Sequence, residues 1–289
     1  MAFTETTTRV LVAAIGIPIA VAVVLAGGWT LALLLAGVAV LAALEYFRLA
    51  EKKGAQPLRV LGAVLAGLFV LLAAVDPARG PEGSGFATLV VLAVLAASVV
   101  TIWARGVEGE PMLSVSTTVA GSIYTGALLS FGLFLRHLPD HAGAAHGAAL
   151  VFAPVLLTWS SDTAAYFVGR KWGTRKLMPS VSPGKTVQGS IGAIVGTVLV
   201  AVAYSFVLAR FPTYRVGIVE AAALGLLVSL AAQVGDLAES LFKRDAGVKD
   251  SGTLLPGHGG ALDRFDSLLF TLPLGYFFFR FFIGLAEPF

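Results

Sequence analysis

The feature that most constrains this chain is a succession of nine long apolar segments, which cover most of its 289 residues. A helix needs roughly 20 mainly apolar residues to cross about 30 Å of hydrocarbon, and every segment approaches that length. Charged residues make up only 13% of the chain, against about 25% in soluble domains. We therefore exclude a soluble globular fold and predict an all-α, polytopic integral membrane protein. The predicted spans are 10–27, 29–49, 58–75, 86–104, 115–136, 147–169, 189–209, 216–242 and 264–285.

The distribution of basic residues predicts how these spans are oriented. If the N-terminus is cytoplasmic, fifteen of the twenty Lys and Arg residues fall in cytoplasmic segments, as the positive-inside rule requires. The two longest cytoplasmic loops, 170–188 and 243–263, are also the richest in polar motifs, so we expect the active-site loops there. We predict a multi-pass protein of the cytoplasmic (inner) membrane, with residues 1–150 as scaffold helices and 151–289 as the catalytic region of one continuous membrane domain.

Charged residues gather where a membrane makes them costly. Ten of them fall within 236–266, where the chain's own average of 13% charged residues would give about four. An ionised group inside the bilayer is expensive and usually marks function. Asp162, Asp236 and the pair Asp263 and Asp266 lie on three different predicted helices, near the cytoplasmic side in each case. Helical spacing also predicts one polar stripe, formed by Gln233, Asp236, Glu239, Ser240 and Lys243.

Carboxylates that converge repel one another, and a cation removes that repulsion. The chain has no cysteine, and oxygen-only ligands favour a hard ion such as Mg²⁺. Neighbouring Lys and Arg side chains suit phosphate oxygens, and the glycine-rich turn 256–260 would bring backbone N–H groups close to them. The alternative is that Asp236 and Glu239 form structural ion pairs with Lys243 or Arg244. The density of charge favours a site.

One stretch carries a dense motif: SLFKR from Ser240, KDSG from Lys249, LPGHGG up to Gly260, and DRFD ending at Asp266. Together with upstream polar positions, it resembles the signature of the phosphatidate cytidylyltransferases (CDP-diacylglycerol synthases) over roughly 155–270. That resemblance implies Mg²⁺-dependent transfer of CMP from CTP to phosphatidic acid, which gives CDP-diacylglycerol and pyrophosphate. It also implies a homodimer embedded in the lipid bilayer, with K⁺ as a candidate second cation. Nucleic acid is not an expected partner.

The resemblance further implies roles for individual residues. The expected metal ligands are Asp236 and Asp263, with Asp266 and Glu239 as further ligands. The expected catalytic residues are Asp236, Lys249, Asp250, His258, Asp263 and Arg264. The expected substrate-binding residues are Asp162, Tyr166, Ser182, Lys185, Thr186, Lys243, Arg244, Gly259 and Gly260. Three positions depart from the family pattern: Gly184 stands where Lys is expected, Gln188 where Glu is expected, and Ala261 where a larger aliphatic residue is usual.

Two other functions fit parts of the pattern. A CTP-dependent cytidylyl- or phosphotransferase that acts on an ether-lipid phosphate or a polyprenol would need the same phosphate chemistry. A cation-coupled transporter would also carry carboxylates on several spans. The charges gather at one face rather than at the midplane, and the chain shows no inverted repeat, so transport is disfavoured.

Overall fold

The computed structural model describes the backbone of residues 5–138, 143–211, 216–252 and 259–282. Helices make up most of these residues, as the apolar segments predict. The helices are α1 (Glu5–Ala26), α2 (Gly28–Glu51), α3 (Arg59–Val75), α4 (Ser84–Ala104), α5 (Pro111–Ser122), α6 (Leu128–His137), α7 (Ala144–Trp172), α8 (Val187–Leu208), α9 (Ile218–Asp245), α10 (Ala261–Phe265) and α11 (Leu268–Phe277).

Each of the first eight predicted spans coincides with a helical segment. The fifth span consists of α5 and α6, which are joined by a π-helical turn at Ile123–Ala127. Within the described residues, six helical segments are long and apolar enough to cross a membrane, while α3 is apolar but shorter. The chain is therefore an all-α, multi-pass membrane protein, and its orientation stays a prediction. The six segments are Gly28–Glu51, Gly85–Ala104, Pro111–His137, Ala144–Trp172, Val187–Leu208 and Ile218–Asp245.

Two features differ from a simple chain of spanning helices. The ninth span is divided, because α10 ends at Phe265 and α11 begins at Leu268. The expected continuous helix through Asp263 and Asp266 is therefore not found. The loop 170–188 contains a short antiparallel hairpin, in which β1 (Lys176–Met178) pairs with β2 (Ser182–Thr186).

The chain divides into two compact units. The first unit contains Met1–Phe134 and Phe242–Phe265, and the second contains Leu135–Leu241 and Asp266–Phe289. The last turn of α9 thus belongs to the first unit and the rest of that helix to the second. The predicted division into scaffold helices (1–150) and a catalytic region (151–289) concerns function rather than packing, and it stays a prediction.

In the second unit, α7 and α8 pack closely because α8 presents glycines to its partner. A Cβ atom at Gly192 would lie 2.5 Å from Val168, and one at Gly196 would lie 2.7 Å from Ala164. Glycines four residues apart are a common way for membrane helices to approach each other, since lipid supplies no hydrophobic driving force between them. This contact fixes the position of the C-terminal half of α7 relative to the hairpin that precedes α8.

In the first unit, α2 packs against α3 and α5 around one aromatic ring. Phe47 is fully buried, and a Cβ atom at Gly62 of α3 or at Gly121 of α5 would overlap its ring. The Ser122 hydroxyl donates a 2.9 Å hydrogen bond to the Gly62 carbonyl. Small residues on α3 and α5 therefore hold α2 in place at the turn that carries Glu45 and Tyr46.

Candidate active site

Three carboxylates of the second unit lie close enough to interact electrostatically: Asp162 on α7, Asp236 on α9, and Asp266 between α10 and α11. Gly235 allows this approach, because a Cβ atom there would lie 2.8 Å from the Asp266 carbonyl oxygen. Carboxylates that share a site repel one another. The Lys185 ammonium lies 2.8 Å from the Asp236 Oδ2 atom and offsets part of that repulsion.

Asp162, Asp236 and Lys185 line a cavity of about 600 Å³ within the second unit. Its walls come from α7, the hairpin, and the first turns of α8, together with α9. Asp162 and Tyr166 are exposed towards it, and Tyr166 accepts a 2.8 Å hydrogen bond from the Arg170 guanidinium. The polar and charged lining consists of Asp162, Tyr166, Arg170, Lys185, Thr186, Ser190, Gln233 and Asp236.

The hairpin supplies the cavity's lysine, and its other predicted residues have different surroundings. Lys185 lies on β2 and is followed by Thr186, which caps the N-terminus of α8. The Thr186 hydroxyl accepts a 3.1 Å hydrogen bond from the Gly189 N–H, which satisfies a free donor at the helix start. Ser182 pairs with Met178 at the other end of β2 and does not line the cavity. Gly184 does line it, and a Cβ atom added there would meet no other atom within 4 Å.

The predicted polar stripe on α9 is real, but its members have different surroundings. Gln233 lies on the cavity wall and hydrogen-bonds to Ser190 of α8. Ser240 donates a 3.2 Å hydrogen bond to Asp236 Oδ1. Glu239 is fully buried. Lys243 belongs to the first unit, where it pairs with Asp263.

In the first unit, the Asp263 carboxylate is held by donors on both oxygens. Lys243 Nζ donates to Oδ1 over 2.7 Å. Oδ2 accepts from the Ser251 N–H at 2.9 Å, the Ser251 hydroxyl at 2.8 Å and the Gly260 N–H at 2.8 Å. Only 5% of the Asp263 side chain and 12% of the Lys243 side chain are exposed. Asp263 of the DRFD element is thus built into a buried polar network.

The remaining predicted residues of the signature lie on its surface or outside the described residues. Lys249, Asp250 and Arg264 are exposed, and the Arg244 guanidinium donates a 3.0 Å hydrogen bond to the Val248 carbonyl. Gly259 has a positive φ of 80°, and a Cβ atom there would lie 2.7 Å from Asp263 Oδ2. His258 lies outside the described residues.

Sequence reasoning assigned no site role to three polar residues that lie at these sites. Arg170 and Gln233 line the cavity, and Glu45 of α2 bonds to the signature segment in the first unit. The positions of Arg170 and Gln233 beside predicted site residues are a usable signal. Glu45 has one weaker signal, because it is the one acidic residue inside the second predicted span.

The fit of a metal ion depends on the donor chemistry of the carboxylates. Within the described residues, no group of three or more His, Cys, Asp or Glu side chains is arranged to hold an ion. The mutual repulsion of Asp162, Asp236 and Asp266 is nevertheless the situation that a hard divalent cation relieves. The oxygen donors present therefore suit Mg²⁺ by their chemistry.

Comparison with known proteins gives consistent similarities. The model of the cytidylyltransferase family matches residues 7–282. A phosphatidate cytidylyltransferase of Synechocystis sp. is 34% identical over 293 residues, which cover 94% of this chain and 96% of the relative. The phosphatidate cytidylyltransferase of Bacillus subtilis is 42% identical over 156 residues, or 54% of this chain and 55% of the relative. The chloroplastic phosphatidate cytidylyltransferase 4 of Arabidopsis thaliana is 34% identical over 291 residues, or 92% and 71%.

Proposed function

This chain belongs to the cytidylyltransferase family, and on that premise we propose that it transfers CMP from CTP to phosphatidic acid. The products are CDP-diacylglycerol and pyrophosphate, and the enzyme is a nucleotidyltransferase. One structural observation supports the proposal independently of the relatives' names. A cavity of about 600 Å³ brings the carboxylates of Asp162 and Asp236 together with the cations of Lys185 and Arg170, as a phosphate–metal site requires.

The reaction needs neutralisation and alignment more than a strong base. An oxygen of the lipid phosphate attacks the α-phosphorus of CTP, the bond from that phosphorus to the bridging oxygen breaks, and pyrophosphate leaves. The second pKa of a phosphomonoester is near 6, so the nucleophile is already ionised at neutral pH. Both reactants are anions, and the protein accelerates their reaction by holding them together against their repulsion.

In the second unit, the cavity is assigned to the lipid phosphate. Lys185 supplies an ammonium group to its oxygens, and Arg170 supplies a planar guanidinium that suits phosphate geometry. Tyr166 is exposed at the same wall, where its ring can contact the glycerol and the acyl chains. Ser182 and Thr186 support the hairpin that carries Lys185. The cavity thus combines charge for the phosphate with apolar surface for the lipid.

In the first unit, the basic residues are assigned to the triphosphate of CTP. Lys243 and Arg244 lie in the last turn of α9, and Lys249 and Arg264 are exposed on the signature segment. Gly259 and Gly260 are assigned to the close approach of phosphate oxygens to the backbone, and the Gly260 N–H itself donates to Asp263 Oδ2. Asp250 and His258 are assigned to the orientation of the nucleotide.

Magnesium is the proposed metal, and K⁺ is a candidate second cation. Asp236 and Asp266 are the proposed ligands in the second unit, with Asp162 beside them. Asp263 and Glu239 are the further proposed ligands, and the sharing of one ion by Asp236 and Asp263 stays a prediction. When bound, the ion would neutralise phosphate charge and stabilise the leaving pyrophosphate.

The proposed location is the cytoplasmic face of the inner membrane, with the protein as a homodimer. One substrate is an amphiphile and the other is soluble in water, so they meet at the membrane surface. The basic loops on the predicted cytoplasmic side support this placement.

A direct assay tests the proposal. Purified protein in detergent micelles should convert CTP and phosphatidic acid to CDP-diacylglycerol with Mg²⁺, and a chelator should abolish the reaction. Asp236→Asn should abolish turnover without loss of folded protein. Asp245→Asn is the matched control, because it makes the same change on the same helix at an exposed residue, and it should keep wild-type activity.

Other outcomes would identify the alternatives. Turnover with an ether-lipid phosphate or a polyprenol, but not with phosphatidic acid, would transfer the assignment to a related lipid enzyme. Solute movement across vesicles without any CTP-dependent product would replace the enzyme by a transporter. Full activity of Asp236→Asn would remove the metal assignment.

A further inference from the structure

Glu45 is a buried carboxylate in the predicted scaffold region, and its side chain bonds to the signature segment. It lies in α2, and only 3% of the residue is exposed. Its Oε1 atom accepts a 3.0 Å hydrogen bond from the Ala261 N–H. Its Oε2 atom accepts bonds from the Leu262 N–H at 2.8 Å and the Ser251 hydroxyl at 3.0 Å. One side chain therefore binds both Ser251 and the first two residues of α10.

Two glycines of the signature segment lie directly against this carboxylate. A Cβ atom at Gly252 would lie 2.5 Å from Glu45 Oε1, and one at Gly260 would overlap Glu45 Oε2. Any larger residue at either position would push the segment away from α2. The contact with Glu45 thus gives a steric reason for glycine at both positions, in addition to any contact with phosphate.

Ser251 connects Glu45 to Asp263. Its hydroxyl lies 3.0 Å from Glu45 Oε2 and 2.8 Å from Asp263 Oδ2. A serine hydroxyl has one hydrogen to donate, so the two carboxylates share it. Asp263 then contacts Lys243 through its other oxygen. The contacts form a continuous chain from α2 to the proposed nucleotide-binding residues.

We propose that Glu45 is a positioning residue, which sets the orientation of the Asp263 carboxylate through Ser251 and the first turn of α10. This inference rests on the proposed function, because it assigns Asp263 to the reaction. Glu45 does not touch substrate. It fixes the backbone at Ala261 and Leu262, and so fixes the direction in which Asp263 leaves α10.

The chemistry of the carboxylate makes the proposal specific. Both oxygens of Glu45 accept from N–H groups, and glutamine offers only one acceptor oxygen at nearly the same size. In Glu45→Gln, the amide NH₂ must therefore face at least one backbone N–H. A hydrogen bond to a charged group is worth about 1.5–3 kcal/mol, so the loss of one should locally release the segment rather than unfold the helix.

Two measurements on the full chain in detergent test this. The first is hydrogen exchange of the amides of Ala261 and Leu262, and the second is the kcat for CDP-diacylglycerol formation. Glu45→Gln should speed exchange at both amides about tenfold or more and lower kcat about tenfold or more, while amides of α3 keep wild-type exchange. Glu51→Gln is the control, because it changes an acidic residue of α2 that pairs with Arg59, and both readouts should stay at wild-type values.

A double-mutant cycle with Ser251→Ala then tests the route of the effect. If Glu45 acts through Ser251, the kcat loss of the double variant should be smaller than the product of the two single losses. Ser251→Ala also gives the test alone if Glu45→Gln does not fold, since it should lower kcat without raising exchange in α3.

The outcomes separate this inference from the proposed function. Wild-type exchange at Ala261 and Leu262 in Glu45→Gln overturns the inference, and so does faster exchange that extends through α3. Multiplicative kcat losses would also overturn the route through Ser251. If Glu45→Gln speeds exchange at Ala261 and Leu262 but the wild-type chain makes no CDP-lipid, the positioning contact is retained and the proposed function is refuted.

Discussion

The buried pair of Lys243 and Asp263 gives a prediction whose size follows from the structure. The two charged groups approach to 2.7 Å, and both side chains are largely buried. At an effective dielectric constant of about 20, their attraction is about 6 kcal/mol before desolvation. Removal of one partner of a buried pair costs about 3–5 kcal/mol, because the other charge stays buried without compensation. Asp263→Asn should therefore lower the free energy of unfolding by about 3–5 kcal/mol.

The assay is denaturant unfolding of the purified protein in detergent, with activity measured on the same samples. Lys243→Gln combined with Asp263→Asn removes both charges and should recover part of the lost stability, while activity stays absent. This separates the structural role of the pair from the role of Asp263 in the reaction. Unfolding of Asp263→Asn at the wild-type denaturant concentration would refute the reasoning, and so would a double variant that is less stable than the single one.

Three further predictions concern the second unit and its cavity. Lys185→Met should lower kcat/KM for phosphatidic acid about 10- to 100-fold, because a charged hydrogen bond to phosphate is lost, while the exposed Lys171→Met should match wild type in the same assay. Gly184→Lys should fold normally, since its Cβ has open space, and should lower the KM for phosphatidic acid about two- to fivefold by adding a cation at the cavity. Gly192→Ala should cost about 1–3 kcal/mol of stability through overpacking, since its Cβ would lie 2.5 Å from a valine of α7, whereas Gly37→Ala, with open space, should not destabilise the protein in thermal unfolding.

The helices could be predicted from the sequence because a membrane-spanning helix needs a continuous run of apolar residues, which can be read without knowledge of tertiary contacts. The run of apolar residues at 189–209 predicts α8 within two residues at each end. The spacing of Asp162 and Tyr166 correctly places both on one face of α7, which lines the cavity. Thr158, one turn earlier on α7, is buried, and its hydroxyl donates to the Pro154 carbonyl.

Other features depend on contacts that a local pattern does not contain. Glu45 lies 206 residues before Ser251, and nothing in the spacing of α2 indicates that partnership. The break between α10 and α11 lies within an apolar segment, so hydropathy predicts a continuous helix there. Thr186 is an expected substrate-binding residue, and its hydroxyl accepts the hydrogen bond that caps α8. The Glu45 contact is set by tertiary packing, whereas Thr186 caps the start of its own helix.

The position of a radioactive label tests the central claim most directly. Purified protein would be incubated with phosphatidic acid, Mg²⁺ and CTP that carries ³²P at either the α- or the γ-phosphate. The account predicts that α-label enters the lipid as CDP-diacylglycerol, that γ-label leaves as pyrophosphate, and that Asp236→Asn prevents both. Entry of γ-label into the lipid, or equal labelling by Asp236→Asn, would contradict it.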